Sequence, residues 1–124
     1  MKRILLVDND RLFTGMVSAL LQNEQFTVLV ATSAKEVKNA LDTGNLDLII
    51  SDLFVPYSNG FELLQQIRTN TVTAHTPVMI MSDVSNEQSI ANCYRLGADA
   101  YRTKPINVPE FLSEIKNLVL SSRN

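Results

Sequence analysis

The chain has little of the residue types on which several protein classes depend. Its 124 residues include one cysteine, one histidine and no tryptophan, with four glycines and four prolines. A single cysteine cannot form an internal disulfide, and one cysteine with one histidine cannot make a Cys/His zinc cluster. These shortages exclude a disulfide scaffold, a zinc fold and a collagen-like chain, and they favour a reducing compartment.

Charge of one sign and long apolar runs are also scarce. The 11 basic and 13 acidic residues give a formal net charge of −2, without a basic stripe that would attract nucleic acid or an anionic membrane. The first apolar run, residues 4–7, ends at Asp8 and is too short for a signal-peptide core or a membrane span. We therefore expect a cytoplasmic protein that contacts neither nucleic acid nor a membrane directly.

Five short apolar runs indicate strands, and they cover residues 4–7, 26–30, 46–50, 78–81 and 98–103. The clearest of these runs do not alternate with polar residues, which is typical of strands buried on both faces of a parallel sheet. Segments with a helical period of apolar residues separate and follow them. The pattern predicts one α/β domain over residues 1–124, a doubly wound five-stranded parallel sheet with helices on both faces.

Signals for the ends of helices agree with this order. Three residue pairs have the spacing of an N-terminal capping box: Ser33 with Glu36, Ser85 with Gln88, and Asn107 with Glu110. Gly44 and Gly97 stand where two helices should end. Residues 69–76 and 121–124 lack a clear period and are predicted to be loose.

Polar residues follow the strands whose carboxyl ends should meet at one edge of the sheet. They are Asp8, Asn9 and Asp10, then Asp52, then Ser82 and Asp83, and finally Lys104. Each has an ordinary structural explanation when taken singly, as a helix cap, a turn residue or an ion pair. Together, the hard oxygen donors suit Mg²⁺ and the lysine suits a transferring phosphoryl group, so the set predicts phosphoryl chemistry.

Along essentially its whole length the sequence resembles the receiver domain of two-component response regulators. The matching motifs are ILLVDND at residues 4–10, DLFVP at 52–56 with Gly60, PVMIMS at 77–82, GADAY at 97–101, and Lys104–Pro105. The resemblance implies the flavodoxin-like receiver fold of the chemotaxis receivers, with a cis peptide bond before Pro105. It also implies a signalling phosphoacceptor that is not an enzyme in the usual sense.

The resemblance implies a role for each residue of the site. Asp52 would take a phosphoryl group from a histidine kinase or phosphotransfer protein, with Ser82 and Lys104 as donors to the phosphoryl oxygens. Tyr101 would act with Ser82 as the switch, and the fourth helix, fifth strand and fifth helix would present the output face to an effector protein or a fused output domain. The ligands of Mg²⁺ would be Asp8, Asn9, Asp52 and the backbone carbonyl of Phe54.

Two positions depart from the family pattern. Asn9 stands where the family usually has a metal-binding carboxylate, so we expect weaker Mg²⁺ binding. Asp83 stands where the family usually has a small residue, and its carboxylate would face the metal, repel phosphate or point to solvent. Asp10 is a second possible modulator, with helix capping as its stronger explanation.

Two other functions stay open from the residues alone. A pseudo-receiver would keep the fold and bind a protein partner without phosphorylation, with Asn9 and Asp83 as marks of a degraded site. A haloacid-dehalogenase-like phosphatase would use Asp8 as nucleophile and Asp10 as general acid. That family also needs a later acidic pair, for which the chain offers only Glu110 and Glu114 after its lysine.

Overall fold

Strands and helices alternate along the chain in the computed structural model, which describes residues 1–121. The elements are β1 (Arg3–Val7), α1 (Arg11–Asn23), β2 (Thr27–Ala31), α2 (Ala34–Thr43), β3 (Leu48–Ser51), β4 (Phe54–Val55), β5 (Ser58–Asn59), α3 (Gly60–Thr69), β6 (Val78–Ser82), α4 (Glu87–Arg95), β7 (Ala100–Thr103) and α5 (Val108–Leu120). Five strands form a parallel sheet in the order β2-β1-β3-β6-β7. The predicted α/β fold class is confirmed.

Two apolar cores lie on opposite faces of this sheet. Alternate residues of β1 show the division, since Leu5 and Val7 join the core with α2, α3 and α4, whereas Ile4 and Leu6 join the core with α1 and α5. Full burial of each such side chain contributes roughly 1.5–3 kcal/mol. Because both faces are covered, the sheet strands read as continuous apolar runs in the sequence.

The five predicted sheet strands are right in number and order, but their first residues shift by up to two positions. The amide of Phe26 donates to the carbonyl of Leu21, 3.1 Å away, so Phe26 closes the turn after α1. The amide of Ala98 donates likewise to the carbonyl of Cys93, 3.0 Å away. Phe26 and Ala98 are buried and apolar, as strand residues usually are, but their backbone amides donate to carbonyls at the ends of helices.

A short antiparallel hairpin follows β3 and was not predicted. Phe54 pairs with Asn59 and Val55 with Ser58, and Tyr57 lies in the two-residue turn between the strands. Two residues per strand are too few to show an alternating pattern in the sequence. The hairpin places the segment after Asp52 directly before α3.

Side-chain caps begin the helices, and one differs from its prediction. Ser33 and Asn107 accept backbone N–H groups at the starts of α2 and α5, as predicted. The predicted cap of α4 at Ser85 is wrong, because the side chain of Asn86 accepts the N–H of Ser89 at 2.8 Å. Asparagine is as good an N-cap as serine, so the one-residue shift leaves the helix equally well capped.

Glycines end α2 and α4, as predicted. Gly44 has a φ of 74° and Gly97 a φ of 111°, which is backbone that other residues adopt only with strain. A Cβ on Gly97 would lie 2.8 Å from Nε of Arg68. The absence of a side chain at Gly97 therefore allows Arg68 to approach its backbone.

Arg68 anchors the segment after α3 at the amino-terminal edge of the sheet. Its guanidinium donates to the carbonyls of Gly97 and Thr76, each 2.7 Å away, and pairs with Asp99 at 2.9 Å. Thr73 in this segment is 1% exposed. The prediction that residues 69–76 are loose is wrong, since these contacts cannot be read from local sequence; residues 122–124 lie outside the described residues.

Helix length bears on membrane insertion. The longest helices within residues 1–121, α1 and α5, have 13 residues each. None of the helices described here combines the length and the apolar character that crossing a membrane requires.

Candidate functional site

The carboxyl ends of the strands are tied together by backbone hydrogen bonds. The amide of Asp52, just after β3, donates to the carbonyl of Val7 at the end of β1, 2.9 Å away. The amide of Lys104, just after β7, donates to the carbonyl of Ser82 at the end of β6, also 2.9 Å away. These bonds continue the parallel pairing by one residue and so fix the starting points of both side chains.

Three charged side chains meet at this edge of the sheet. The ammonium nitrogen of Lys104 lies 2.9 Å from Oδ2 of Asp8 and 3.2 Å from Oδ2 of Asp52. The side chains are 12%, 2% and 18% exposed, respectively. The predicted convergence of these residues is therefore observed, with one cation holding two nearly buried carboxylates close together.

The surroundings of Lys104 favour its charged form. Burial lowers the pKa of Lys104, but the hydrogen bond to Asp8 and the charges of Asp52 and Asp8 outweigh this effect and raise it overall. The ammonium also lies 4.2 Å from the ring centroid of Phe13 on α1, within the range of a cation–π interaction. Phe13 looked like an ordinary core residue in the helical pattern, so the sequence had no signal for this contact.

The three residues after β1 have different environments. The carboxylate of Asp10 accepts the amides of Leu12 and Phe13, so Asp10 caps α1. Oδ1 of Asp8 accepts the amide of Asp10 at 2.9 Å, and the side chain of Asn9 between them is exposed. Helix capping, the stronger explanation for Asp10, is confirmed, which gives this carboxylate a structural role at the start of α1.

Ser82 and Tyr101 are linked through the loop after β6. The hydroxyl of Ser82 accepts the amide of Val84 at 3.1 Å, and the hydroxyl of Tyr101 donates to the carbonyl of Val84. Ser82 is 2% exposed, and the pKa of Tyr101 is raised mainly by burial. Val84 thus joins the two predicted switch residues by its backbone, which explains why no side-chain pattern pointed to it.

Two further predicted residues lie at the rim of the site. The side chain of Asp83 is exposed, and the ion pairs described within residues 1–121 do not include it. Phe54 is 52% exposed, and its ring packs edge-on against Phe61 with centroids 6.2 Å apart. The peptide bond between Lys104 and Pro105 is cis, as expected.

The donor set of the site fits a hard divalent cation. Asp8 and Asp52 hold carboxylate oxygens around one ammonium, and the exposed Asn9, which carries a side-chain amide, follows Asp8 in the chain. No group of three or more His, Cys, Asp or Glu side chains able to hold a metal occurs among residues 1–121. Two carboxylates completed by neutral oxygens and water are what Mg²⁺ accepts, whereas a zinc site would need nitrogen or sulfur ligands.

The family of the chain follows from a comparison with protein-family models. The model of the response regulator receiver domain matches residues 4–116. This chain belongs to the receiver-domain family. The match covers each residue of the receiver site described above, and it disfavours the haloacid-dehalogenase phosphatase, which would also need Asp10 as a free acid.

Relatives of this receiver domain include several proteins named as regulators. The transcriptional regulatory protein CpxR of Escherichia coli is 34% identical over 122 residues, which is 98% of this chain and 51% of CpxR. The regulatory protein VanR of Enterococcus faecium is 31% identical over 92% of this chain and 48% of VanR. A probable transcriptional regulator, ycf29 of Pyropia yezoensis, is 32% identical over 94% of this chain and 53% of ycf29. The chain thus spans about half the length of these relatives.

Solved structures show the same receiver fold. The non-phosphorylated receiver domain of HemR from Leptospira biflexa superposes with a TM-score of 0.90 at 26% identity, covering 100% of this chain and 98% of that one. The receiver domain of the sensor histidine kinase PA1611 from Pseudomonas aeruginosa has a TM-score of 0.87 at 19% identity, and the match covers 97% of this chain and 98% of that one. That structure is described with a magnesium ion coordinated in its active-site cleft.

Proposed function

We propose that this receiver domain accepts a phosphoryl group on Asp52 from the phosphohistidine of a kinase or phosphotransfer protein. The observation that carries the proposal is the contact of the Lys104 ammonium with both Asp8 and Asp52 at the carboxyl edge of the sheet. Asp52 has an 18% exposed side chain, so a donor can reach it. Asp8, with a 2% exposed side chain, is the less accessible carboxylate.

The transfer forms one bond and breaks one. A carboxylate oxygen of Asp52 attacks the phosphorus atom, and the phosphorus–nitrogen bond of the donor breaks as the new oxygen–phosphorus bond forms. Lys104 donates to one phosphoryl oxygen as a charged group. The hydroxyl of Ser82, which accepts the amide of Val84 before transfer, rotates to donate to a second phosphoryl oxygen. The product is an acyl phosphate on Asp52, so the chain acts as a signalling acceptor and not as a turnover enzyme.

The metal ligands in this proposal are Asp8, Asp52, the amide of Asn9 and the backbone carbonyl of Phe54, with Mg²⁺ as the ion. The magnesium-bound PA1611 receiver, which has this fold, supports the assignment. When bound, Mg²⁺ neutralises phosphoryl charge as that charge shifts during transfer. Asn9 supplies a neutral oxygen where a carboxylate would add charge, so the ion is held more weakly.

The proposed output is a change in a protein-binding face. Ser82 and Tyr101 share Val84 as a hydrogen-bond partner, so reorienting the Ser82 hydroxyl toward a phosphoryl group disturbs the loop that holds Tyr101. The face formed by α4, β7 and α5 then meets an effector protein or a fused output domain. The relatives are about twice as long and include named transcriptional regulators; for the residues of this chain, the proposal includes no direct contact with nucleic acid. The proposal includes a cytoplasmic location for the domain.

Intact mass measurement tests the acceptor and the metal together. The protein is incubated with acetyl phosphate, with and without Mg²⁺, alongside Asp52→Asn and the matched control Asp42→Asn. We expect a gain of one phosphoryl group that requires Mg²⁺, is unchanged in Asp42→Asn and is lost in Asp52→Asn. Asp42 is an exposed residue of α2, where its carboxylate pairs with Lys38 and accepts from the side chain of Asn70.

Two other results would redirect the proposal. Labelling that persists in Asp52→Asn and disappears in Asp8→Asn would identify Asp8 as the acceptor. If neither acetyl phosphate nor a phosphorylated kinase adds mass to a folded protein, the chain is a pseudo-receiver that binds its partner without phosphorylation.

A further inference from the structure

A cavity of about 200 Å³ lies between α2, α3 and the β4–β5 hairpin. Its apolar wall includes Val7, Val37, Val55 and Leu63. Val37 and Leu63 are each 5% exposed and belong to the apolar core on this face of the sheet. The cavity is a partly open cleft. Its inner wall belongs to this core, whereas Ala34, Lys38 and Gln66 at its rim are exposed.

The hairpin holds the cavity open on its outer side. Tyr57, in the hairpin turn, donates from its hydroxyl to the carbonyl of Ala31 at the end of β2, 3.3 Å away. At the other end of the hairpin, the amide of Gly60 donates to the carbonyl of Leu53, and a Cβ on Gly60 would lie 2.8 Å from the Leu53 side chain. The hairpin is thus fixed at both ends and cannot collapse onto Val37 and Leu63.

The polar part of the wall determines the charge of a suitable ligand. Asp52 and the amide side chains of Asn59 and Gln66 line it. Oδ1 of Asn59 already accepts the amide of Glu62 at 2.9 Å, so Asp52 and Gln66 supply the acceptor oxygens. Lys38 also lines the cavity, but its ammonium is paired with Asp42 at 3.0 Å. The Asp52 carboxylate would repel an anion at this wall, so a neutral molecule with a donor group suits it best.

We propose that this cavity binds small neutral aromatic molecules that carry one N–H or O–H donor. An engineered apolar cavity of about 150 Å³ in another protein holds a benzene molecule, so the larger space here suits a fused two-ring molecule. The ring packs against the valine and leucine wall, and its donor meets an acceptor on the polar side. The cavity adjoins the metal-binding edge and shares Asp52 with it.

The proposal is tested by adding indole to the unphosphorylated protein and following its binding in ¹H–¹⁵N NMR spectra. Indole should shift the amide signals of α2, α3 and the hairpin in a saturable way. Val37→Phe fills the cavity and should weaken binding about tenfold or more, whereas Val108→Phe, the same change at the start of α5, should leave the affinity within about twofold. 1-Methylindole has no donor and should bind about tenfold more weakly than indole, the loss expected for one hydrogen bond.

Indole binding is measured on the unphosphorylated protein. A failure to bind indole can therefore be told apart from a failure of Asp52 to accept a phosphoryl group. If Val37→Phe does not fold, Leu63→Phe replaces it, because Leu63 lines the same wall from α3. The proposal is overturned if indole shifts remain unsaturated up to its solubility limit. It is also overturned if both phenylalanine variants bind indole as well as the parent protein, since indole would then lie elsewhere.

Discussion

Oδ2 of Asp8 lies 2.9 Å from Nζ of Lys104, although the two residues are 96 positions apart in the chain. Asp8 is 1% exposed, and a buried carboxylate without a partner is strongly disfavoured. The Lys104 ammonium therefore has a structural role, because it compensates the charge of two carboxylates at this edge of the sheet.

Lys104→Met should destabilise the fold by about 3 kcal/mol, because it leaves Asp8 and Asp52 close together without their cation. Mg²⁺ should restore part of this loss by binding the folded state. Urea unfolding with and without Mg²⁺ measures both effects. Lys38→Met removes an ion pair that is more than half exposed and should cost no more than about 1 kcal/mol; equal losses in the two variants would contradict the role given to Lys104.

Asn9→Asp should tighten Mg²⁺ binding about tenfold, since it places a further negative charge beside Asp8 at an exposed position. Isothermal titration calorimetry measures the affinity directly. Asn23→Asp, at the exposed end of α1, adds the same charge away from the site and should leave the affinity unchanged. An unchanged affinity in Asn9→Asp would show that this side chain does not reach the ion.

The free energy of unfolding should fall in alkaline solution. Burial raises the pKa of Tyr57 and of Tyr101 above the ordinary value of 10.0. A raised folded-state pKa contributes stability that is present below the unfolded value and is lost as pH rises through the folded value. Urea unfolding from about pH 8 to about pH 11 should show this loss, with phenolate absorbance following the two groups.

Phenylalanine variants separate these tyrosines from other alkaline effects. Tyr57→Phe and Tyr101→Phe should each reduce the alkaline loss of stability, although each also removes a hydrogen bond. Lys104, whose pKa is raised above 10.5, contributes in the same direction at higher pH. Tyr94→Phe is the control, because Tyr94 on α4 is 47% exposed. If the free energy of unfolding falls with pH equally in all variants, another group causes the alkaline loss of stability.

Asn86→Ala should cost about 1 kcal/mol of stability, because its side chain caps α4 through the amide of Ser89. Ser85→Ala should cost less than about 0.5 kcal/mol, since Ser85 is an exposed residue before the cap. Thermal unfolding of both variants decides between the two positions. A larger loss of stability in Ser85→Ala than in Asn86→Ala would show that Ser85 caps the helix, as its spacing from Gln88 predicts.

The sequence predicts the fold and the convergence of the site because both depend on strong, repeated signals. Apolar runs identify the strands, and the rule that parallel strands end at one edge brings Asp8, Asp52 and Lys104 together. Details that depend on backbone partners could not be predicted in this way. The Tyr101–Val84 hydrogen bond, the cap shift to Asn86 and the hairpin at Tyr57 are examples, because several local residues could serve each role equally well.

Arg68 has a mechanical consequence at the opposite edge of the sheet. Its guanidinium binds the carbonyls of Thr76 and Gly97, which precede β6 and β7, and its partner Asp99 also accepts the amide of Val78, the first residue of β6. The two strands therefore start from a common fixed base.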